Sequence, residues 1–92
     1  MPVLIIPGAW RAAAAIPTGT DLRFPPGTAR TVLGAFFQVY PALRPRVLTE
    51  DGEVAPWVQV FAGGADIRDR GGLDASLSAN EDLVLLPAMA GG

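Results

Sequence analysis

One stretch of this sequence carries the strongest helical signal, about three turns long, and that narrows the fold more than any other feature. In "TARTVLGAFFQVY", residues 28–40, Val32, Leu33, Phe36, Phe37 and Tyr40 fall at helical spacings on one face, and Thr28 stands at the capping position. Pro41 stops the helix. The rest is short apolar runs cut by 9 prolines and 11 glycines. "VLII" (3–6), ended by Pro-Gly, predicts a central strand. "DLRF" (21–24) alternates polar with apolar and is stopped by "PPG", as an edge or half-buried strand is. "VAPWVQVFA" (54–62) predicts a strand with Pro56 near its start, where a missing N–H does least harm. "ADIR" (65–68) follows the Gly63-Gly64 turn as a short strand, and "LVLLP" (83–87) predicts the last one. Residues 8–20 carry an alanine run closely bracketed by Pro7 and "IPTG", and read as a long loop with one turn. "PALRPRVL" reads as a connector, Asp51-Gly52 as a tight turn, and Leu73 to Leu77 as a single helical turn.

One helix cannot cover both faces of a four- or five-stranded sheet. The economical solution is an α+β domain: one sheet, the helix packed on one face, the other face open. A chain of 92 residues makes one small domain of this kind, burying roughly 60% of the surface its unfolded form exposes. No internal repeat and no second domain are visible. Residues 1–88 read as the folded unit and 89–92 as a flexible tail.

Composition removes whole classes of chemistry. Half of the residues are apolar and 17% are charged, the balance of a globular protein. A net charge of −2 argues against nucleic-acid binding through a broad basic surface. All 7 basic residues are Arg, so there is no lysine amine to modify. Without Cys there are no disulfides, thiolate nucleophiles or thiolate metal sites; without His the usual general base and commonest metal ligand are missing. The acidic trio Glu50, Asp51 and Glu53 reads as solubilising charge on a hairpin turn, not a metal site. No phosphate-binding loop surrounds the glycine pairs at 63–64 and 71–72. "MPVLIIPGAW" lacks a basic leader and its apolar run breaks at Pro7, so neither a signal peptide nor a membrane span is expected, and the cytoplasm is the expected location. Trp10 and Trp57 are expected as core residues or partly buried anchors.

The remaining signal is "LVLLPAMAGG", residues 83–92. A strand runs into a proline and then into a tail of minimal bulk. Gly91 and Gly92 have nothing to pack and much entropy to lose, which suits a segment that enters something narrow. Together with "GEVAPWVQVFAGGADIR" (52–68), "GLDASL" (72–77), "NEDLVLLPAMAGG" (80–92), the helix "TVLGAFFQVYPALRPRVL" (31–48) and "LIIPGAWR", this tail resembles the ubiquitin-like sulfur carrier proteins of the MoaD/ThiS type. The resemblance covers nearly the whole chain and is most specific in the last 40 residues. Of the pathways that the family serves, a single proline before the tail, Pro87 followed by Ala88, leans toward cysteine synthesis rather than molybdopterin synthesis.

The resemblance implies a β-grasp fold with a mixed sheet and a protein cosubstrate rather than an enzyme. Gly92 would be the modified residue: a ThiF/MoeB-like activating enzyme, using ATP and magnesium, adenylates its carboxylate. The acyl-adenylate becomes a thiocarboxylate, and an acceptor biosynthetic enzyme takes the sulfur. The chain itself would bind no cofactor and no metal. Gly91 and Ala90 would thread the partner's channel, and no proteolytic maturation would be needed. Leu86, Ile67 and Ile6 would dock partners, and Arg68 would supply a charged contact. Alternation along "LVLL" puts either Leu83 and Leu85 or Val84 and Leu86 on the open face, and the sequence leaves the choice open. Two other readings compete. One is a ubiquitin-like modifier joined to target lysines through Gly92, and the other is a plain protein-binding module.

Overall fold

The computed structural model describes residues 1–88. The helix forms where periodicity puts it: α2 spans Ala29–Val39, preceded by a short helix α1 at Gly8–Ala13. The Thr28 hydroxyl oxygen accepts a hydrogen bond from the Thr31 N–H at 3.2 Å, satisfying one of the open donors of the first turn. Ala29, Val32, Leu33, Phe36 and Phe37 form its buried face. Phe36 sits at the centre, with the rings of Phe37, Tyr40 and Phe24 at 5.3, 5.6 and 5.8 Å. Phe36→Ala removes this hub, and we expect a loss of about 3–5 kcal/mol, measured by urea unfolding.

Strands β1 (Leu4–Ile5), β3 (Val58–Ala62), β4 (Ala65–Asp66) and β6 (Leu83–Pro87) make one four-stranded mixed sheet in the order β1-β6-β3-β4. β6 lies parallel to β1 and antiparallel to β3, which places the two longest strands at the centre. Strands β2 (Gly27–Thr28) and β5 (Ser76–Leu77) pair with each other instead, as a separate antiparallel ladder. The expected single sheet is therefore one sheet plus a two-stranded ladder, and α2 begins where that ladder ends. Leu4, Val58, Val60, Ala62, Leu83 and Leu85 form the inner sheet face and share one core cluster with the buried residues of α2.

Several local readings change, and the helical turn expected at Leu73 to Leu77 is a 3-10 turn at Gly72–Asp74 followed by β5. The alanine run is helix after all: α1 starts directly after Pro7, and Trp10 is buried from it. Pro7 is a start signal here, since the first turn leaves its N–H groups without intrahelical partners. "DLRF" contributes one bridge, Val3 with Arg23, flanked by the bonds from Leu4 N–H to Leu22 O and Phe24 N–H to Pro2 O. The connector after Pro41 is a 3-10 turn at Pro41–Leu43 leading into α3, Arg44–Val47.

Gly63 and Gly64 both have positive φ, +58° and +84°, as a two-residue hairpin between paired Ala62 and Ala65 requires. A Cβ on Gly63 would also strike the Glu81 carboxylate. That carboxylate belongs to a staple. Arg70 donates to Glu81 at 2.8 Å, to Ala62 O at 3.0 Å and to Ser76 O at 2.8 Å, while the Ser78 N–H donates to Glu81 at 3.0 Å. The bond from Arg70, then that from Ser78, holds the Glu81 carboxyl below its ordinary value of 4.5. A carboxyl whose pKa is depressed on folding stabilises fully above its unfolded value and loses that contribution as pH falls through the folded one. Wild-type melting temperature should therefore fall as pH drops below 4.5, and Glu81→Gln should flatten part of that slope.

Candidate functional site

The register decides which side of the sheet is open. In β6, Leu83 and Leu85 point inward and are fully buried, while Val84 is half-buried and Leu86 is 41% exposed. Pairing carries the same parity across the sheet. Leu86 stands opposite Gln59, Val84 opposite Phe61, and Val84 also opposite Ile5 of β1. Ile5 is 45% exposed, Phe61 is half-buried and Gln59 is exposed. The outer face is thus a contiguous patch of Ile5, Phe61, Val84 and Leu86, rimmed by Gln59. Among the described residues no element covers this apolar strip, and contiguous exposed apolar patches mark interaction surfaces.

Of the docking residues expected from sequence, the structure leaves Leu86 and Arg68 accessible. Arg68 borders the β3 edge, 3.7 Å from the Asp66 carboxylate and 3.5 Å from the Val58 carbonyl oxygen that its guanidinium faces. Ile6 and Ile67 are core residues instead, with 7% and 1% exposure. For Ile6 the error is one of parity: its neighbour Ile5 shares the face of Val84, so Ile6 turns inward. Ile67 starts a 3-10 turn at Ile67–Arg70, whose Asp66 cap accepts from the Arg68 N–H at 2.9 Å and rotates the isoleucine under the sheet. Sequence reasoning missed Ile5 and Phe61, and held Val84 with Leu86 as one of two alternatives for the open face. Val84 follows from Leu86 by two-residue alternation, but Ile5 and Phe61 need the register of non-local pairs.

Beyond the face, the chain leaves through Pro87 and Ala88, whose N–H donates to the Trp57 carbonyl at 2.8 Å and carries the ladder one step past β6. Trp57 is 48% exposed rather than core, its indole N–H donating to the Arg46 carbonyl at 3.0 Å. Ala90, Gly91 and Gly92, the expected threading and modified residues, lie outside the described residues.

Among the described residues, no group of three His, Cys, Asp or Glu side chains is placed to hold a metal ion. Glu50, Asp51 and Glu53 sit on a turn closed by the bond from Thr49 N–H to Glu53 O at 2.8 Å, with Gly52 at φ +81°. Among the same residues, no helix is long and apolar enough to cross a membrane.

No protein-family model matches the chain. A curated relative from Archaeoglobus fulgidus, named "Putative sulfur carrier protein", is 30% identical over 47 residues, 51% of this chain and 53% of the relative. The chain thus matches about half the length of that relative. Over their whole lengths the likeness is structural. A chain of the Amycolatopsis orientalis BexX/CysO complex shares the fold with a TM-score of 0.85 at 22% identity, covering 100% of each chain. The small archaeal modifier protein 1 (SAMP1) of Methanosarcina acetivorans gives a TM-score of 0.79 at 23% identity, covering 98% of this chain and 94% of that one. With one main helix against a four-stranded mixed sheet, the chain has a β-grasp, ubiquitin-like fold and resembles the curated "Putative sulfur carrier protein" in sequence over about half of its length.

Proposed function

We propose that this chain is a sulfur carrier: a protein cosubstrate whose Gly92 carboxylate is charged by a partner and whose sheet face docks that partner. The observation that carries this reading is the continuity of the two parts. β6 presents Leu86 on the open face and, one residue later, leads through Pro87 and Ala88 into "MAGG". An enzyme resting on the patch of Ile5, Phe61, Val84 and Leu86 has the tail within a few residues' reach.

The chemistry follows from the weakness of a carboxylate as an electrophile. One carboxylate oxygen of Gly92 attacks the α-phosphorus of ATP, held with magnesium by the activating enzyme, and pyrophosphate leaves. A sulfide-level donor then attacks the acyl carbon and AMP leaves, giving a thiocarboxylate. An acceptor enzyme takes the sulfur, with cysteine synthesis the favoured pathway. The chain supplies no catalytic group. With neither Cys nor Lys in the sequence, no side-chain thiol or amine is available to capture the acyl group.

Incubation with ATP, magnesium, sulfide and a cognate ThiF/MoeB-like enzyme should raise the intact mass by about 16 Da, the difference between a sulfur and an oxygen atom. An alkylating reagent should then label the protein once, on Gly92, and the unactivated protein not at all. Activation with no alkylatable product sinks the reading. The named modifier among the structural neighbours favours one other function, attachment of Gly92 to lysines of other proteins. Isopeptide-linked Gly92 in place of thiocarboxylate would establish it.

A further inference from the structure

A cavity of about 510 Å³ lies against α2, and none of the residues lining it belongs to a strand of the sheet, so it is separate from the open face. Its floor is apolar: Leu33 and Phe37 of α2 and Leu73 of the 3-10 turn at Gly72–Asp74, all buried. Arg30 and Arg44 also line it, and no acidic residue does. Arg30 stands 3.5 Å from Asp74 with both side chains more than half exposed, a hydrated pair that holds its guanidinium weakly. Arg44 makes no ion pair among the described residues. Gly34 lines the same cavity, and the packing of the described residues does not ask for a glycine there. It sits in the middle of an eleven-residue helix, where glycine is the poorest former after proline. Its φ lies outside the left-handed region, and a Cβ built on it meets no atom within 4 Å. What the missing side chain does is leave the cavity open.

We propose that this cavity binds a small carboxylic acid with an aryl or alkyl body. The body rests on Leu33, Phe37 and Leu73, and the carboxylate meets the guanidinium groups of Arg30 and Arg44. The volume falls within the range of about 300–1,000 Å³ usual for small-molecule sites, which are apolar with a few polar groups. A guanidinium presents paired N–H donors that match the two oxygens of a carboxylate. An amphipathic monoanion uses both halves of the site. An inorganic anion would leave the apolar floor uncovered, and a hydrocarbon would gain nothing from the arginines. Glycine at position 34 lets the body of the ligand approach the helix backbone closely.

The test is made on the full chain alone and does not depend on sulfur carriage. Phenylbutyrate is titrated into isotope-labelled protein while the backbone amide resonances are followed. The shifts should saturate and centre on Leu33, Gly34 and Phe37, leaving Val84 and Leu86 in place. Phenylbutyramide keeps the body and lacks the charge, and it should bind about fivefold more weakly, the worth of an exposed ion pair. Arg44→Gln, a change at an exposed side chain, should weaken phenylbutyrate by about the same factor without altering the melt. Gly34→Leu should act with opposite signs on fold and site: leucine is the better helix former, so the variant should melt above wild type, yet it should lose the saturable shifts. Shifts that never saturate, that map to the sheet face, or that persist in Gly34→Leu overturn the proposal. So does equal affinity for the acid and its amide.

Discussion

Leu86→Glu should leave the domain folded, whereas Leu85→Glu, one residue earlier, should unfold it. Leu86 already meets solvent, and a carboxylate there remains hydrated. Leu85 is fully buried on the inner sheet face, opposite Val60. A glutamate in such a site stays neutral, with its pKa raised to about 8–9, so at pH 7 it costs about 4 kcal/mol relative to an ordinary glutamate. The lost leucine burial adds about 2–3 kcal/mol. That sum rivals the whole 5–15 kcal/mol that holds a small domain together. The sign with pH is fixed as well. The ionisation penalty grows as pH rises above about 4.3 and vanishes below it, so Leu85→Glu should regain structure in mild acid. Circular dichroism of the two variants at pH 7 and pH 4 reads all of this. A folded Leu85→Glu at pH 7, or an unfolded Leu86→Glu, would reverse the assignment of faces. For Leu86→Glu the loss should appear in partner binding: a carboxylate placed in a desolvated apolar contact should weaken the activating enzyme's affinity by more than about tenfold.

How much of this was visible in the sequence depends on whether the deciding interaction is local. The helix α2 was, because Val32, Leu33, Phe36 and Phe37 carry their own periodicity and Thr28 its own cap. The Gly63-Gly64 hairpin and the strand at 83–87 were legible for the same reason. α1 was not: "AWRAAAA" is flanked by prolines, and whether Pro7 starts or prevents a helix turns on Trp10 finding a core to enter. The two-residue pair of β2 with β5 joins segments nearly fifty positions apart and leaves no period in either. The open sheet face was half legible. Alternation links Val84 to Leu86, yet which of the two parities faces outward is fixed by where α2 packs. Choosing between Ile5 and Ile6 needs the parallel register of β1 against β6. A one-residue misreading there moves a residue from core to surface, which is what separates Ile6 from Ile5.

Removing Gly92 should abolish charging without touching the fold. The terminal carboxylate would recede by about 3.3–3.6 Å, the length one extended residue contributes. In-line attack on the α-phosphorus demands that the reacting atoms stand about 3–3.5 Å apart, and a 1 Å misplacement can cost about 10²-fold. A shift three times larger, in a channel that holds the tail extended, should reduce adenylate formation by far more than 10²-fold. Gly91→Val should fall to a similar level by another route, since a branched Cβ occupies space that glycine leaves free in a narrow channel. The buried core among the described residues has no member beyond Leu85, so both variants should melt with wild type. Pyrophosphate release on mixing with the activating enzyme and ATP, measured beside thermal melts, separates the alternatives. Charging of Gly91→Val at the wild-type rate would mean that the channel is wide and the glycines are incidental. A lowered melting temperature with either variant would make the tail part of the folded unit. Loss of pyrophosphate release with unchanged melting would leave one role for the glycine pair, the delivery of a carboxylate to a confined site.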